Sequence, residues 1–242
     1  MPAGALRGGL RLDGVLDEPV WMSADSITDL VQIEPREGAA PTGRTIVRVL
    51  AGENELVIGV RADDPEPTGI VAFARERDAP LANEDHIKIV LDTYLDGRSG
   101  YVFAVNPNGA RYDALVADQG EGENANWDTV WEAATARTPN GWSAEIRIPV
   151  KSLMFKRGLD AWGFNVQRLQ ETDRWASPER DYEITQTSRA GLLRNLPRFD
   201  LGLGLTVRPS VTAGAGLPAP TRPVQDEEDL SLDVTQRLGA PT

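Results

Sequence analysis

The tryptophans are the side chains of this 242-residue chain best suited to contact a ligand. Trp127 follows the polar run Asp118–Asn126 and is expected where a loop meets a strand, and Trp175 lies in the polar loop Thr172–Pro178, which has no strand pattern. An accessible ring can stack on a flat apolar ligand face while nearby polar groups orient the ligand. The alternative is that each ring only closes one end of the core. The other four are predicted to be core residues: Trp21, Trp131, Trp142 and Trp162.

Residues for covalent or acid–base catalysis are scarce or unspecific. The chain has no cysteine, which excludes disulfides, thiolate nucleophiles and cysteine-based zinc sites. His86, the only histidine, is expected in an edge strand, and no G-x-S-x-G turn accompanies it. The 37 acidic residues offer many carboxylate pairs, yet no spacing selects the two that glycoside hydrolysis needs. No cofactor motif is present, so neither catalysis nor a required cofactor is expected.

The charge balance excludes one class of partner. A net charge of −12 opposes binding to nucleic acid, whose phosphates require clustered lysine and arginine. No apolar run reaches ~18 residues, so no transmembrane helix is expected. Met1–Gly9 lacks the apolar region of a signal peptide, so a signal for export would have to lie upstream or have been removed.

Alternating apolar and polar residues dominate the middle of the chain. With 23 glycines and 17 prolines in the turns, this pattern predicts an antiparallel β-sandwich of short strands. Helical turns are expected only at Ile70–Arg75 and Lys151–Phe155. The predicted strands are Thr45–Leu50, Glu55–Ala62, His86–Asp92, Tyr101–Asn106, Ala110–Ala117, Trp127–Ala136, Trp142–Pro149 and Trp162–Leu169.

The composition changes after about Pro197. Leu201–Arg208 and Leu230–Thr235 alternate apolar with small or polar residues, and the Pro-rich, acidic stretch Leu217–Asp229 between them is expected to be a loop. Strands of this pattern are typical of the start of a transmembrane β-barrel. Two further sandwich strands or a tail are the alternative. The sequence predicts a sandwich over residues 1–198 and a separate region over 199–242.

The segment Arg11–Trp21 combines a turn with an aromatic plug. Glycine adopts positive φ without strain and aspartate can accept from its own backbone, so Asp13–Gly14 predicts a turn. Asp17 is placed to cap a short helix that begins with Glu18 and Pro19 and ends at Trp21.

With the segments that follow it, this opening resembles the start of family 9 carbohydrate-binding modules, especially the module-like domain that precedes outer-membrane barrels of unknown function. The resemblance runs from about Arg11 to Arg198, and it implies a β-sandwich that binds sugar chains without catalysis and lies in the outer membrane or periplasm. The segments that carry it are LDGVLDEPVW, ELVIGVRADDPEP, ED at Glu84–Asp85, LDT at Leu91–Thr93, DGRSGY at Asp96–Tyr101, VNPNGARYD at Val105–Asp113, NWDTVWEA at Asn126–Ala133, GWSAEIRIP at Gly141–Pro149 and WGFNVQR at Trp162–Arg168.

A sugar site requires a ring for the C–H face of the pyranose and polar groups for its hydroxyls. Trp127 and Trp175 are the predicted rings. Surface charge without a ligand is the alternative for the polar candidates, which are Arg98, Asn106, Arg111, Asp113 and Arg168.

The resemblance also implies a structural calcium ion. Calcium takes six to eight oxygen ligands. Two neighbouring acidic turns could supply carboxylates, although a solvated acidic surface is the alternative; the residues are Asp63, Asp64, Glu66, Glu84 and Asp85.

Three functions remain open from sequence. The first is non-catalytic binding of a polysaccharide or oligosaccharide at the cell envelope, in a protein linked to carbohydrate catabolism. The second is a structural or interaction domain before a barrel that no longer binds sugar. The third is glycoside hydrolysis.

Overall fold

The computed structural model is an antiparallel β-sandwich followed by a separate hairpin. It describes residues 1–117, 120, 122–169 and 172–199, and the backbone of 205–214 and 227–236. The chain divides into two compact units, Met1–Phe199 and Asp200–Thr242. No helix among the described residues combines the length and the apolar composition needed to cross a bilayer.

One layer of the sandwich is a six-stranded sheet in the order β1-β4-β5-β11-β10, with β2 also paired to β4. The pairs are antiparallel except β1 with β4. The strands are β1 (Gly4–Ala5), β2 (Ser26–Ile27), β4 (Thr45–Ala51), β5 (Glu55–Asp63), β10 (Glu132–Thr138) and β11 (Gly141–Pro149).

The other layer is an eight-stranded sheet in the order β3-β13-β12-β6-β7-β8-β9, with β14 also paired to β12. The strands are β3 (Val31–Glu34), β6 (His86–Asp92), β7 (Gly100–Val105), β8 (Arg111–Ala117), β9 (Gly122–Asn124), β12 (Ala161–Leu169), β13 (Thr172–Arg174) and β14 (Gly191–Arg194).

The core lies between the sheets and follows the period-2 pattern of the strands. Leu56, Ile58 and Val60 of β5 are fully buried, as are Ile89 of β6 and Phe103 of β7. The prediction that four tryptophans are core residues is confirmed, since Trp21, Trp131, Trp142 and Trp162 are each at most 1% exposed.

The N-terminal segment covers the outer face of the six-stranded sheet. Trp21 packs there with Leu10, Leu50 and Val57. Gly59 makes room for it, because a Cβ at Gly59 would lie 2.8 Å from the Trp21 ring. The prediction of a buried tryptophan in this segment is therefore confirmed, and Trp21 covers the face of β5 that points away from the other sheet.

Polar side chains on β11 fix this segment. Gly14 has φ 85, as the predicted turn requires. Its amide and that of Asp13 donate to Glu145 Oε2 at 2.9 and 2.8 Å, and Ser143 Oγ donates to the carbonyl of Gly14 at 2.5 Å. The predicted helix is a 3-10 turn over Pro19–Ser23, and its cap is Glu18 without a side-chain bond, so the assignment of the cap to Asp17 was wrong.

Other sequence-based boundaries were also wrong. Residues 127–131 are irregular and β10 begins at Glu132, five residues after the predicted start. Ile70–Arg75 forms no helical turn; the 3-10 turns near the two predicted places are Pro67–Gly69 and Val150–Ser152. His86 lies in β6, which is flanked by β12 and β7 and is not an edge strand.

In the second unit, β15 (Leu205–Gly214) pairs antiparallel with β16 (Glu227–Gln236) along ten residues. The last three residues of the predicted loop Leu217–Asp229 therefore belong to a strand. The rest of that loop, and Leu201–Gly204, lie outside the described residues.

Candidate functional site

The most exposed aromatic side chain in the described part of the chain belongs to Phe73, at 77%. It stands in the irregular segment 70–75, which we call the Phe73 loop. The amide of Phe73 donates to Glu84 Oε2 at 2.7 Å, and the amide of Ala74 donates to both Glu84 oxygens at 3.0 and 3.1 Å. The buried carboxylate of Glu84 therefore fixes the backbone that carries the exposed Phe73 ring.

Further hydrogen bonds fix the loop on both sides of Phe73. The amide of Val71 donates to Asp85 Oδ2 at 2.7 Å, and the amide of Asp85 donates to the carbonyl of Val71 at 2.8 Å. From the β7–β8 hairpin, Asn106 Nδ2 donates to the carbonyl of Ala74 and Asn108 Nδ2 to that of Ala72, at 2.9 and 2.8 Å. The loop is thus tied to two elements of the eight-stranded sheet.

Glu84 is suited to this task because it stays ionised. Burial acts to raise its pKa, but hydrogen bonds from the Phe73 amide, the Asn106 side chain and the Ala74 amide outweigh burial and lower the pKa below its ordinary value. The charged carboxylate therefore remains bound to these donors at neutral pH.

A displayed phenyl ring offers an apolar face to a ligand. A large aromatic ring in water adds nothing to the stability of the fold. Because the backbone of the loop is already fixed, little conformational entropy is lost when a ligand covers the ring. Arg75, two residues further on, is also exposed and carries donors suited to hydroxyl or carboxylate oxygens.

The two predicted platform rings are half-buried and lie apart. Trp127 packs on Tyr101 and Phe103 of β7, with centroid distances of 4.9 and 6.4 Å. Trp175 packs on Phe164 of β12 at 6.0 Å. Strand β6 separates β7 from β12, which places the rings roughly two to three strand spacings of about 4.8 Å from one another. The two rings pack on different strands, and no ring contact joins them among the described residues.

Two of the predicted polar partners, Asn106 and Asp113, have structural roles. Asn106 is fully buried between Glu84 and Ala74. Asp113, also fully buried, accepts from Arg77 at 2.7 Å and from Trp131 Nε1 at 3.0 Å. The polar atoms of both side chains already bind groups of the protein, so this placement does not support direct contact with a sugar.

Arg168 is likewise internal and joins the two sheets. It is 1% exposed, donates to the carbonyl of Asp63 at 2.8 Å and lies 3.5 Å from Asp64 Oδ2. Of the other candidates, Arg111 is half-buried over the Trp131 ring, with 5.6 Å from its Cζ to the ring centroid, and Arg98 is exposed in a turn.

Four of the five carboxylates expected to hold calcium bind groups of the protein, namely Asp63, Asp64, Glu84 and Asp85. Asp64 accepts the amide of Glu66 at 2.8 Å and pairs with Arg168, while Glu84 and Asp85 hold the Phe73 loop. Asp63 pairs with Arg61 at 2.8 Å. In the described residues, no three of the five have ligand oxygens within 4.8 Å of one another, so this arrangement does not fit a calcium ion that needs six or more oxygens.

A different acidic group does come together. In the described ranges, Asp78, Asp113 and Asp128 are the three carboxylates whose oxygens lie within 4.8 Å of one another. The guanidinium of Arg77 contacts all three, at 3.4, 2.7 and 3.1 Å. A cation of the protein itself therefore already contacts all three carboxylates and offsets one of their three negative charges.

His86 does not resemble a catalytic base. It is 8% exposed, and its Nδ1 lies 2.9 Å from the carbonyl of Glu84. Burial is the largest cause that lowers its pKa, so the ring is neutral and enclosed at neutral pH.

Sequence reasoning missed Phe73. The available signal was one phenylalanine among small and charged residues, in a stretch without strand alternation. The bonds that hold its loop come from Glu84 and Asp85, and from Asn106 and Asn108, which are more than 30 residues away from their partners along the chain. Pattern analysis along the sequence cannot detect such contacts.

Comparisons with solved structures find this fold in carbohydrate-binding proteins. A family 9 carbohydrate-binding module from Caldicellulosiruptor kristjanssonii in complex with glucose is 16% identical, with a TM-score of 0.57 over 84% of this chain and 97% of the module. Such a module from the same organism in complex with cellotriose is 17% identical, with a TM-score of 0.58 over 83% of this chain and 96% of the module.

A candidate carbohydrate-binding protein from Bacteroides uniformis ATCC 8492 is 12% identical, with a TM-score of 0.63 over 80% of this chain and 97% of that protein. No protein-family model matches the sequence, and no curated protein does. At these identities the likeness is one of fold: the chain is a β-sandwich with the fold of family 9 carbohydrate-binding modules.

Proposed function

We propose that the sandwich is a non-catalytic carbohydrate-binding domain whose sugar contact is the Phe73 loop. The observation that carries the proposal is Phe73 itself, 77% exposed on a backbone held by Glu84, Asp85, Asn106 and Asn108. The shared fold supports it, because modules of this fold are found in complex with glucose and cellotriose.

The chemistry required is stacking and hydrogen bonding, without bond cleavage. The C–H face of a pyranose ring packs on an aromatic face, and exposed polar groups such as Arg75 can reach its hydroxyls. Trp127 and Trp175 remain the candidates for a further contact, since each is half-buried.

The test is a glycan array with the full chain, followed by calorimetry on the best ligand, with cellotriose as the reference. We expect Phe73→Ala to weaken binding roughly thirtyfold, as truncation of a central aromatic contact costs about 2 kcal/mol, while Phe73→Trp retains binding. Incubation with the bound oligosaccharide should leave it uncleaved.

Met22→Ala is the matched control, because Met22 is 79% exposed and lies in the N-terminal 3-10 turn on the opposite sheet. Both alanine variants should keep the thermal midpoint of the parent, since neither side chain is buried. A parent chain that binds no glycan would favour a structural or interaction domain. Binding undiminished in Phe73→Ala would move the site elsewhere, and cleavage of the ligand would restore the hydrolase hypothesis.

We further propose that the domain acts at the cell envelope, next to the outer membrane, in a protein of carbohydrate catabolism. The support is the second unit, where two antiparallel strands of ten residues each have the length that outer-membrane strands use. Fractionation of cells that produce the complete protein tests this location, and recovery in the cytosol would refute it.

A further inference from the structure

A second exposed apolar surface surrounds Met154 and has no part in the Phe73 loop. Three of the seven large apolar side chains exposed in the described residues lie there: Leu95 at 43%, Val130 at 70% and Met154 at 58%. Trp127, half-buried, lies beside them. We call this the Met154 surface.

Hydrogen bonds bring these residues together from three segments. Thr93 Oγ1 donates to the carbonyl of Met154 at 2.6 Å, and the amide of Lys156 donates to the carbonyl of Thr93 at 3.2 Å. Ser152 Oγ donates to the carbonyl of Val130 at 2.6 Å. The exposed apolar side chains are therefore displayed on a cross-linked backbone.

Trp127 belongs to the same surface through Tyr101. The Trp127 ring lies 4.9 Å from the ring of Tyr101, whose hydroxyl accepts the amide of Met154 at 2.9 Å. A tryptophan at a polar boundary is suited to the interfacial region of a bilayer, where an amphipathic ring is favoured.

Of the three segments that form this surface, the one that carries Met154 has a charge opposite to that of the whole chain, while the other two carry Asp96 and Asp128, of which Asp128 pairs with Arg77. Residues 150–158 contain Lys151, Lys156 and Arg157 and no acidic residue, in a chain of net charge −12. All three cations are exposed. A basic, apolar segment in an acidic protein matches an anionic surface, which the rest of the molecule would repel.

The sandwich also ends at this segment. Phe199, the last residue of the first unit, packs on Phe155 and Trp162 with centroid distances of 5.8 and 5.2 Å. The chain therefore leaves the sandwich next to Lys156 and Arg157.

We propose that the Met154 surface binds the anionic headgroups of a lipid bilayer, with Met154 and Val130 entering the interface and Lys156 and Arg157 contacting phosphate. Each cation near an anionic membrane contributes about a fivefold gain in binding, and the apolar side chains add burial that salt does not screen. The proposal does not depend on the sugar site.

The test is flotation of the full chain with vesicles of phosphatidylcholine alone and with vesicles that also contain phosphatidylglycerol. We expect stronger binding to the phosphatidylglycerol vesicles. Lys156→Glu/Arg157→Glu should weaken that preference by more than roughly thirtyfold, because it removes two cations and adds two negative charges, and added salt should weaken it in the parent. Met154→Ala should reduce binding to a smaller extent.

The matched control is Arg36→Glu/Arg44→Glu, which changes the net charge equally at two exposed sites, after β3 and before β4, at the opposite ends of the sheets from this surface. An equal loss in this control would mean that net charge alone governs binding and would overturn the proposal. So would equal binding to both vesicle types. If Lys156→Glu/Arg157→Glu keeps vesicle binding and loses glycan binding, the surface binds sugar. If it keeps vesicle binding and loses self-association, the surface binds a second copy of the chain. Either result would overturn the proposal.

Discussion

Glu145 is the residue on which the N-terminal segment depends most directly. It is fully buried and accepts the amides of Asp13 and Gly14. Burial is the largest cause that raises its pKa above the ordinary 4.5, against the lowering effect of these two amides. The folded protein therefore holds a proton on Glu145 more tightly than the unfolded chain does.

The sign of the pH dependence follows from this difference. Because the folded state binds the extra proton, the free energy of unfolding falls as pH rises from about 4.5 through the raised pKa. Glu145→Gln keeps an oxygen for both amides and cannot ionise. We expect its stability advantage over the parent to grow across this pH range, measured by urea unfolding at a series of pH values.

Glu53→Gln is the control for Glu145→Gln, since Glu53 is exposed in the turn between β4 and β5. It should follow the parent at every pH. If the two variants show the same pH profile, ionisation of Glu145 does not limit the attachment of the N-terminal segment.

At the scale of elements, the close approach of the N-terminal segment to β5 depends on Gly59. A Cβ there would lie 2.5 Å from Leu16 Cδ2 and 2.8 Å from the Trp21 ring. Gly59→Ala should therefore destabilise the fold by about 1–3 kcal/mol through overpacking. Gly122→Ala is the control, as a Cβ in β9 would meet nothing within 4 Å. Equal unfolding midpoints for the two variants would show that the N-terminal segment shifts to accommodate the added Cβ at position 59 without a loss of stability.

The longer strands could be predicted because each buries alternate residues against the other sheet. The stretch 127–131 has the same alternation, with Trp127, Thr129 and Trp131 on one side, yet it is irregular because the Asp113 carboxylate takes the Thr129 amide and the Trp131 indole. Strands such as β1 and β14, of two and four residues, are too short to show a period.

The candidate site was less predictable than the fold. Composition drew attention to tryptophan, but Trp127 and Trp175 are partly covered by neighbouring rings, whereas Phe73 is exposed. Burial of Asn106 and Asp113 is likewise decided by partners distant in sequence. The exposure of a residue depends on long-range contacts, and local patterns do not record these.

For the molecule as a whole, the boundary between the two units can be tested by truncation. Ending the chain after Phe199 should leave the thermal midpoint nearly unchanged and improve solubility, because unpaired strand edges promote association. Ending it after Pro197 removes Phe199, which is 7% exposed and packs on Trp162, and should cost about 3 kcal/mol. If the chain that ends after Phe199 also unfolds, the residues beyond Phe199 contribute to the stability of the sandwich. The proposed envelope location then loses its support.

The attachment of the N-terminal segment to β11 also sets an order of events during synthesis. The amide of Asp13 and its acceptor Glu145 are 132 residues apart. A ribosome adds roughly 5–20 residues per second, so on the order of ten seconds pass between the appearance of Trp21 and that of the strand that holds its segment. For that time β11 is not present to hold the segment against β4 and β5, so the indole is not fixed in place and the nascent chain exposes an apolar surface that a chaperone could bind.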